Sequence, residues 1–209
     1  MAERLNHRKN FEKIRFSAQL VCFLRHTHYY NGKVGIFCIH YNEAMPQPLM
    51  PTLFVGHGSP MNAIEDNAFT RGWQSVAEKL PQPKAIVCVS AHWYTRGTKV
   101  TSMTQPKTIH DFGGFPRELY KVQYPAAGEP QLAKQTQTDI KRADVSADLD
   151  WGLDHGAWSV LRKMYPEANI PVIQLSLDFQ KNSQAHYEIG QELRKLREQG
   201  VLIVGSGNV

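Results

Sequence analysis

Runs of apolar residues alternate with segments of helical periodicity along most of the chain. Short apolar runs predict buried β-strands, at residues 52–55, 85–90, 100–103, 172–177 and 201–204. Amphipathic or polar helices are predicted at residues 67–80, 130–143 (exposed), 156–164 and 186–199. Apolar strands separated by helices are typical of parallel sheets that are buried on both faces. The pattern therefore predicts an α/β fold with a mainly parallel central sheet and helices on both faces.

A proline-rich stretch divides the chain into two unequal parts. Pro46, Pro48 and Pro51 follow one another within six residues, and such a stretch cannot lie inside a helix or a central strand. The hydrophobic pattern is mixed before this stretch and orderly after it. We expect a single domain at residues 50–209, preceded by an N-terminal extension of unknown role at residues 1–49.

The positive charge is concentrated in the N-terminal extension. The chain carries a formal charge of +5, and residues 1–49 contribute +4 through seven basic and three acidic side chains. The predicted domain is therefore nearly neutral and lacks the basic face that nucleic-acid binding requires. We expect no nucleic-acid partner.

The cysteine content and the hydropathy of the chain indicate the cellular compartment. Cys22, Cys38 and Cys88 form no CxxC pair, and an odd number of cysteines does not suit a disulfide scaffold. No apolar run approaches the roughly 20 residues that a transmembrane helix needs. The sequence predicts a cytoplasmic protein without a membrane partner.

Two histidines follow predicted strands directly. His57 comes after the strand at 52–55, and His92 comes after the strand at 85–90, each next to small residues. Ligands bind beyond the carboxyl ends of the strands in open α/β sheets, and neutral imidazole is a common ligand for zinc and Fe(II). The two side chains could share one ion. A lone histidine at a strand end is more often a hydrogen-bonded structural residue, and spacing alone does not decide between these interpretations.

Two aromatic-rich turns carry further histidines. His110 opens a loop, residues 109–116, whose two glycines and two phenylalanines suit the wall of a pocket for a flat ring. A packed surface loop explains the same composition. In the second turn His155 follows Asp154, and an Asp–His pair can set a tautomer for acid–base chemistry. Asp154 also suits the N-cap of the following helix.

Other motifs exclude common functions or indicate little. The segment 56–60 (GHGSP) lacks the Lys-Ser/Thr of a phosphate-binding loop and does not match the GxSxG of hydrolases. Residues 205–207 (GSG) follow a strand, as the start of a dinucleotide loop does, but the sequence ends before the position of a third glycine, so this pattern indicates little. His186 lies on a charged helix and is expected to be exposed to solvent.

Four motifs in order give a family resemblance. They are GHGSP at 56–60, SAHW at 90–93, HDFGGFP at 110–116 and DHGAW at 154–158. Together they resemble the class III extradiol ring-cleavage dioxygenases of the DODA type, over roughly residues 50–209. The resemblance implies an α/β fold and a mononuclear site for Fe(II) or Zn(II). It also implies that a small aromatic diol, such as a DOPA-like catechol, is opened with O2.

The resemblance also implies roles for individual residues. His57 and His92 match metal ligands of the family, and His155 matches a histidine that serves hydrogen bonding or proton transfer beside the substrate. His110 matches a loop histidine at the same pocket and is the second catalytic candidate. Family members continue past the GSGNV segment with further histidines, so the domain is expected to be incomplete at its C-terminus. The alternatives are a non-catalytic metal-binding protein of the same fold and a metal-dependent hydrolase.

Overall fold

The computed structural model describes residues 49–208, and their centre is a four-stranded parallel sheet. Its strands are β1 (Thr52–Gly56), β2 (Ala85–Ser90), β6 (Val172–Gln174) and β8 (Val201–Gly207). They lie in the order β1-β8-β2-β6. The predicted strands at 52–55, 85–90 and 201–204 are confirmed. The extension predicted at 1–49 lies outside the described residues, apart from Leu49.

Helices cover both faces of this sheet, as predicted. The described helices are α1 (Ala68–Lys79), α2 (Arg117–Tyr120), α3 (Pro130–Asp139), α4 (His155–Met164), α5 (Ser183–Glu192) and α6 (Arg194–Glu198). Successive side chains along a strand point to opposite faces of the sheet, so β2 contributes residues to two hydrophobic cores. Ile86 packs with Trp158 of α4 in one core, whereas Val87 packs with Ile189 of α5 in the other.

Strand β8 occupies the middle of the sheet although it comes last among the described strands. Thr52 of β1 pairs with Ile203, and Ala85 of β2 pairs with Val201. All of its residues are buried. This strand therefore fixes the spacing between the ends of β1 and β2, from which the two predicted ligands extend.

Two small two-stranded sheets accompany the main sheet, and one of them contains the second half of a strand that was predicted as a single element. They pair β3 (Tyr94–Thr95) with β7 (Leu177–Asp178), and β4 (Thr98–Thr101) with β5 (Val145–Asp148). The single strand predicted at 172–177 is thus two strands in different sheets. The strand predicted at 100–103 is present two residues earlier, and β3 and β5 were not predicted.

Helix boundaries differ from the prediction where tertiary contacts decide them. The helix predicted at 130–143 ends at Asp139, and it is not simply exposed because Leu132 and Ala133 pack into the core. The helix predicted at 186–199 begins at Ser183 and breaks at Leu193. His186 is buried rather than exposed, and its Nε2 donates to the carbonyl oxygen of Asp178 at 3.1 Å.

The two helices nearest the predicted site agree with the sequence. Asn67 caps α1 in a reciprocal capping box with Thr70. The helix predicted at 156–164 is α4, which begins one residue earlier. None of the helices in the described part is long and apolar enough to cross a membrane.

Candidate metal centre

The carboxyl ends of three neighbouring strands bring the candidate residues together. His57 follows β1 directly, His92 lies two residues beyond β2, and Ser206 lies near the end of the intervening strand β8. Parallel strands end at the same edge of a sheet, where open α/β folds bind ligands. The chain direction alone therefore places His57 and His92 side by side, as the sequence predicted.

Helix α4 adds a third histidine because its first turn lies over this edge. Oδ1 of buried Asp154 accepts a hydrogen bond from the backbone N–H of Ala157 at 3.1 Å, so Asp154 is the N-cap. Its Oδ2 accepts from Nε2 of Gln174 on β6 at 2.8 Å. The cap thus ties the helix to the sheet and places His155 at the first helical position.

The three imidazole rings form a compact and mostly buried cluster. Nε2 of His57 and Nε2 of His92 are 3.0 Å apart, and the ring centroids of His92 and His155 are 3.9 Å apart. One ring nitrogen from each residue lies within 4.8 Å of the others. His57 and His155 are 1% and 5% exposed, whereas His92 faces solvent in part. Such a cluster could hold one metal ion.

The surroundings of His57 favour its uncharged imidazole, which is the form that binds metals. Burial is the main reason that the pKa of His57 falls from 6.5 to about 3. The neighbouring rings of His92 and His155 lower this pKa further, while the carboxylate of Asp111 opposes them. A neutral ring keeps a lone pair on one nitrogen, so the donor set suits a transition-metal cation.

Asp111, rather than Asp154, is the carboxylate that holds His155. Its Oδ1 accepts from Nδ1 of His155 at 2.9 Å and from the backbone N–H of the same residue at 2.9 Å. Burial raises the pKa of Asp111, but these hydrogen bonds and the nearby His92 outweigh it, so the pKa lies below its ordinary value. The sequence pointed to the adjacent Asp154, and the N-cap interpretation of that residue is the one confirmed.

The structure places His110 outside the three-histidine cluster. Its Nε2 donates to the carbonyl oxygen of Val122 at 3.0 Å, and its ring packs against Phe112 and Trp158 with centroids 5.7 and 5.5 Å away. Phe112 in turn lies 5.5 Å from the ring of His155. The loop at 109–116 therefore forms an aromatic wall that reaches the cluster through Phe112.

Sequence reasoning missed two residues that shape the cluster. Ser206 contacts Nδ1 of His57 through its hydroxyl oxygen at 2.9 Å. Asn208 accepts from the backbone N–H of Gly58 at 2.7 Å through its side chain. The only sequence signal was the small-residue segment GSG at 205–207 after an apolar strand. That segment is the end of β8 and not a dinucleotide loop.

Comparison with known protein families assigns the chain to one of them. The family model for the catalytic LigB subunit of aromatic ring-opening dioxygenase matches residues 51–209. The chain belongs to the LigB family. The predicted resemblance to extradiol ring-cleavage dioxygenases is thereby confirmed at the level of the family.

Relatives of this LigB chain carry a specific name. A 4,5-DOPA dioxygenase extradiol of Escherichia coli K12 is 54% identical over 166 residues, which cover 79% of this chain and 61% of that protein. One from Beta vulgaris is 44% identical, with 75% and 61% covered. The chain thus spans about three-fifths of the length of these relatives.

A solved structure agrees with the fold. A crystal structure of a protein from Escherichia coli K12, described as uncharacterized, superposes with a TM-score of 0.62 at 47% sequence identity. The match covers 74% of this chain and 58% of that one. The LigB fold assignment therefore has support from both sequence and structure.

Proposed function

We propose that this protein is a metal-dependent extradiol dioxygenase that opens the ring of a DOPA-like catechol with O2. The observation that carries the proposal is the cluster of buried His57 and His155 with the more exposed His92 at the carboxyl edge of the sheet in a LigB-family chain. The relatives named 4,5-DOPA dioxygenase extradiol suggest the substrate class. A cytoplasmic location stays a prediction.

His57 and His92 are the proposed metal ligands. Their Nε2 atoms face each other at 3.0 Å, and burial keeps His57 neutral, as a metal ligand must be. Imidazole donors suit both Fe(II) and Zn(II). We favour Fe(II), because a redox-active metal supplies the electron transfer that joins O2 to a catechol, which Zn(II) cannot do.

His155 is proposed to hold or move a proton beside the bound diol. Asp111 accepts from Nδ1 of His155, so the tautomer is fixed and Nε2 is left for the substrate. A carboxylate that holds a histidine in this way orients the ring towards the substrate. The arrangement suits removal of a hydroxyl proton from a catechol.

The aromatic wall is proposed to receive the flat ring of the substrate. The ring centroid of Phe112 lies 5.3 Å from that of Phe115 and 5.1 Å from that of Tyr120. The same ring meets His155 edge to face. Offset or edge-to-face packing favours an aromatic ligand at such a surface. His110 belongs to this wall, and its catalytic role stays a prediction.

Oxygen consumption tests the proposal directly. The protein is loaded with Fe(II) under anaerobic conditions, and O2 uptake is recorded with L-DOPA and with simple catechols. We expect uptake together with a new absorbance from the ring-opened product. The His57→Ala and His92→Ala variants should bind no metal and take up no O2, because each removes a proposed ligand.

The control for these variants is His110→Ala, which removes a histidine outside the cluster and should retain the metal. Stoichiometric metal without O2 uptake by the native chain would contradict the proposal and favour a non-catalytic metal-binding protein. Turnover of esters or amides with Zn(II) would instead favour a hydrolase, since three histidines also form catalytic zinc sites.

A further inference from the structure

We propose that Ser206 is a positioning residue that fixes the tautomer and orientation of His57, so that the lone pair on Nε2 of His57 faces His92. Ser206 lies on β8, where it pairs with Val55 of β1 and Ser90 of β2. It therefore stands between the two strands that carry the histidines. The consequence for metal affinity rests on the proposed function, whereas the tautomer does not.

The direction of the hydrogen bonds follows from the hydroxyl of Ser206. Its Oγ lies 2.5 Å from the carbonyl oxygen of Gly156 in the first turn of α4. A carbonyl oxygen only accepts, and two oxygens this close repel each other unless a hydrogen lies between them. The single hydrogen of the hydroxyl is therefore committed to Gly156, and towards any other partner Ser206 accepts.

That partner is Nδ1 of His57, 2.9 Å from the same oxygen. Because the oxygen accepts, Nδ1 must carry a hydrogen. A neutral imidazole has one N–H, so its other nitrogen has a lone pair. This nitrogen is Nε2, which lies 3.0 Å from Nε2 of His92. In the metal-free chain, the hydrogen between these two atoms therefore belongs to His92.

Burial makes this hydrogen bond hard to replace. Ser206 is 0% exposed and His57 is 1% exposed, so bulk water does not reach the pair. In the opposite tautomer, the lone pairs of Nδ1 and Oγ would face each other, and the buried Nδ1 would have no hydrogen-bond partner at Ser206. Histidines that bind metals commonly donate their second ring N–H to such a partner, which orients the ring.

Side-chain nitrogen NMR of the metal-free protein tests the tautomer. In protein with ¹⁵N-labelled histidine, we expect His57 to show a protonated Nδ1 and an unprotonated Nε2. The signals are assigned by their loss in His57→Gln. A His57 ring that carries its hydrogen on Nε2 would overturn the inference, and this measurement needs neither metal nor activity.

Variants of Ser206 test the consequence for the metal site. Ser206→Ala should weaken Zn(II) binding about 10- to 100-fold, measured by competition with a chromophoric chelator, and should mix the two His57 tautomers. Ser206→Thr keeps the hydroxyl and should restore both. The matched control is Ser159→Ala, which also removes a hydroxyl at 0% exposure, one that has no hydrogen-bond partner among the described residues.

The outcomes separate this inference from the proposed function. If Ser206→Ala leaves both the tautomer and the Zn(II) affinity unchanged, the positioning role is wrong even if the protein consumes O2. If the native chain binds no Zn(II), the proposed function is in doubt, and the ¹⁵N spectrum alone decides the role of Ser206. A fall in affinity that Ser206→Thr rescues supports positioning rather than a general loss of stability.

Discussion

At the scale of single residues, the cluster depends on the imidazole ring of His57, which burial keeps uncharged. The folded-state pKa of His57 is about 3, whereas the unfolded chain takes up the same proton at 6.5. The unfolded state therefore binds more protons as the pH falls through this interval. The contribution of His57 to stability is complete above pH 6.5 and is lost progressively between 6.5 and 3.

The metal-free protein should therefore be destabilised by mild acid. We expect the free energy of unfolding to fall by about 1.4 kcal/mol per pH unit through this group, with a smaller contribution of the same sign from buried His186. His57→Asn keeps a donor towards Ser206 and should flatten the dependence. Urea denaturation from about pH 7 to about pH 4 measures it. Equal slopes in both proteins would contradict the lowered pKa.

His155 allows ligation to be distinguished from proton transfer. If it moves a proton, His155→Ala should keep stoichiometric metal and lose O2 uptake by about 10²- to 10⁴-fold. Asp111→Asn should lower uptake in the same direction, because the amide holds the Nδ1–H less strongly. Metal content of the purified variants is measured by elemental analysis. Loss of the metal from His155→Ala would instead make His155 a third ligand.

The sequence alone could identify site residues that directly follow a strand, because the direction of the strand determines the edge of the sheet at which they lie. His57 and His92 were found because each follows a strand, and parallel strands end together. The pairing of Asp111 with His155 joins residues 44 positions apart and leaves no local pattern. His186 was misplaced for a similar reason, since its burial depends on Asp178 from another element.

At the scale of elements, the first turn of α4 packs against the end of β2 with almost no space between them. A Cβ atom on Gly156 would lie 2.5 Å from Oγ of Ser90 and 2.9 Å from Cδ2 of His92. Only glycine lets the helix approach this closely. The helix start and the position of the His92 ring are therefore linked.

Gly156→Ala should push the helix away from His92. We expect a loss of about 1–3 kcal/mol in the free energy of unfolding, together with weaker Zn(II) binding. Gly113→Ala is the matched control, because a Cβ atom there meets nothing within 4 Å. Denaturant melts and chelator competition measure the two effects. Equal behaviour of the two variants would show that the close approach has no consequence.

Elements were predictable where a local signal marks their ends. The helix predicted at 67–80 and the strands predicted at 52–55 and 85–90, which small residues follow, have nearly correct boundaries. The apolar run at 172–177 gave no sign that the chain leaves the main sheet after Gln174. The change of sheet follows from the pairing of β7 with β3, in which the backbone N–H of Leu177 donates to the carbonyl oxygen of Trp93 at 2.9 Å. Such a partner is not visible in the run itself.

At the scale of the whole molecule, two cores share one sheet, and β8 contributes to both. Leu202 lies in the core beneath α1 and α4, and Ile203 lies in the core beneath α5 and α6. Both are almost completely buried. The continuous apolar runs, separated by helical segments, predicted this two-sided burial and hence the fold class. It did not predict the strand order, which depends on pairings between distant segments.

Leu202→Ala should therefore destabilise the entire domain. Truncation of a fully buried leucine costs about 2–5 kcal/mol, because a cavity remains. Leu149→Ala makes the same chemical change at a side chain that is 69% exposed and should alter stability by less than about 0.5 kcal/mol. Urea midpoints compare the two. A small effect at Leu202 would contradict the central position of β8.

The central position of β8 also has a consequence in time. Ser206 contacts a histidine 149 residues earlier, and β1 and β2 are joined only through β8, which lies between them. Contacts of such long range form late and slow the folding of a domain. On the ribosome, both histidine-bearing strands emerge long before the strand that unites them. Competence to bind metal should thus arise abruptly, when β8 pairs with β1 and β2.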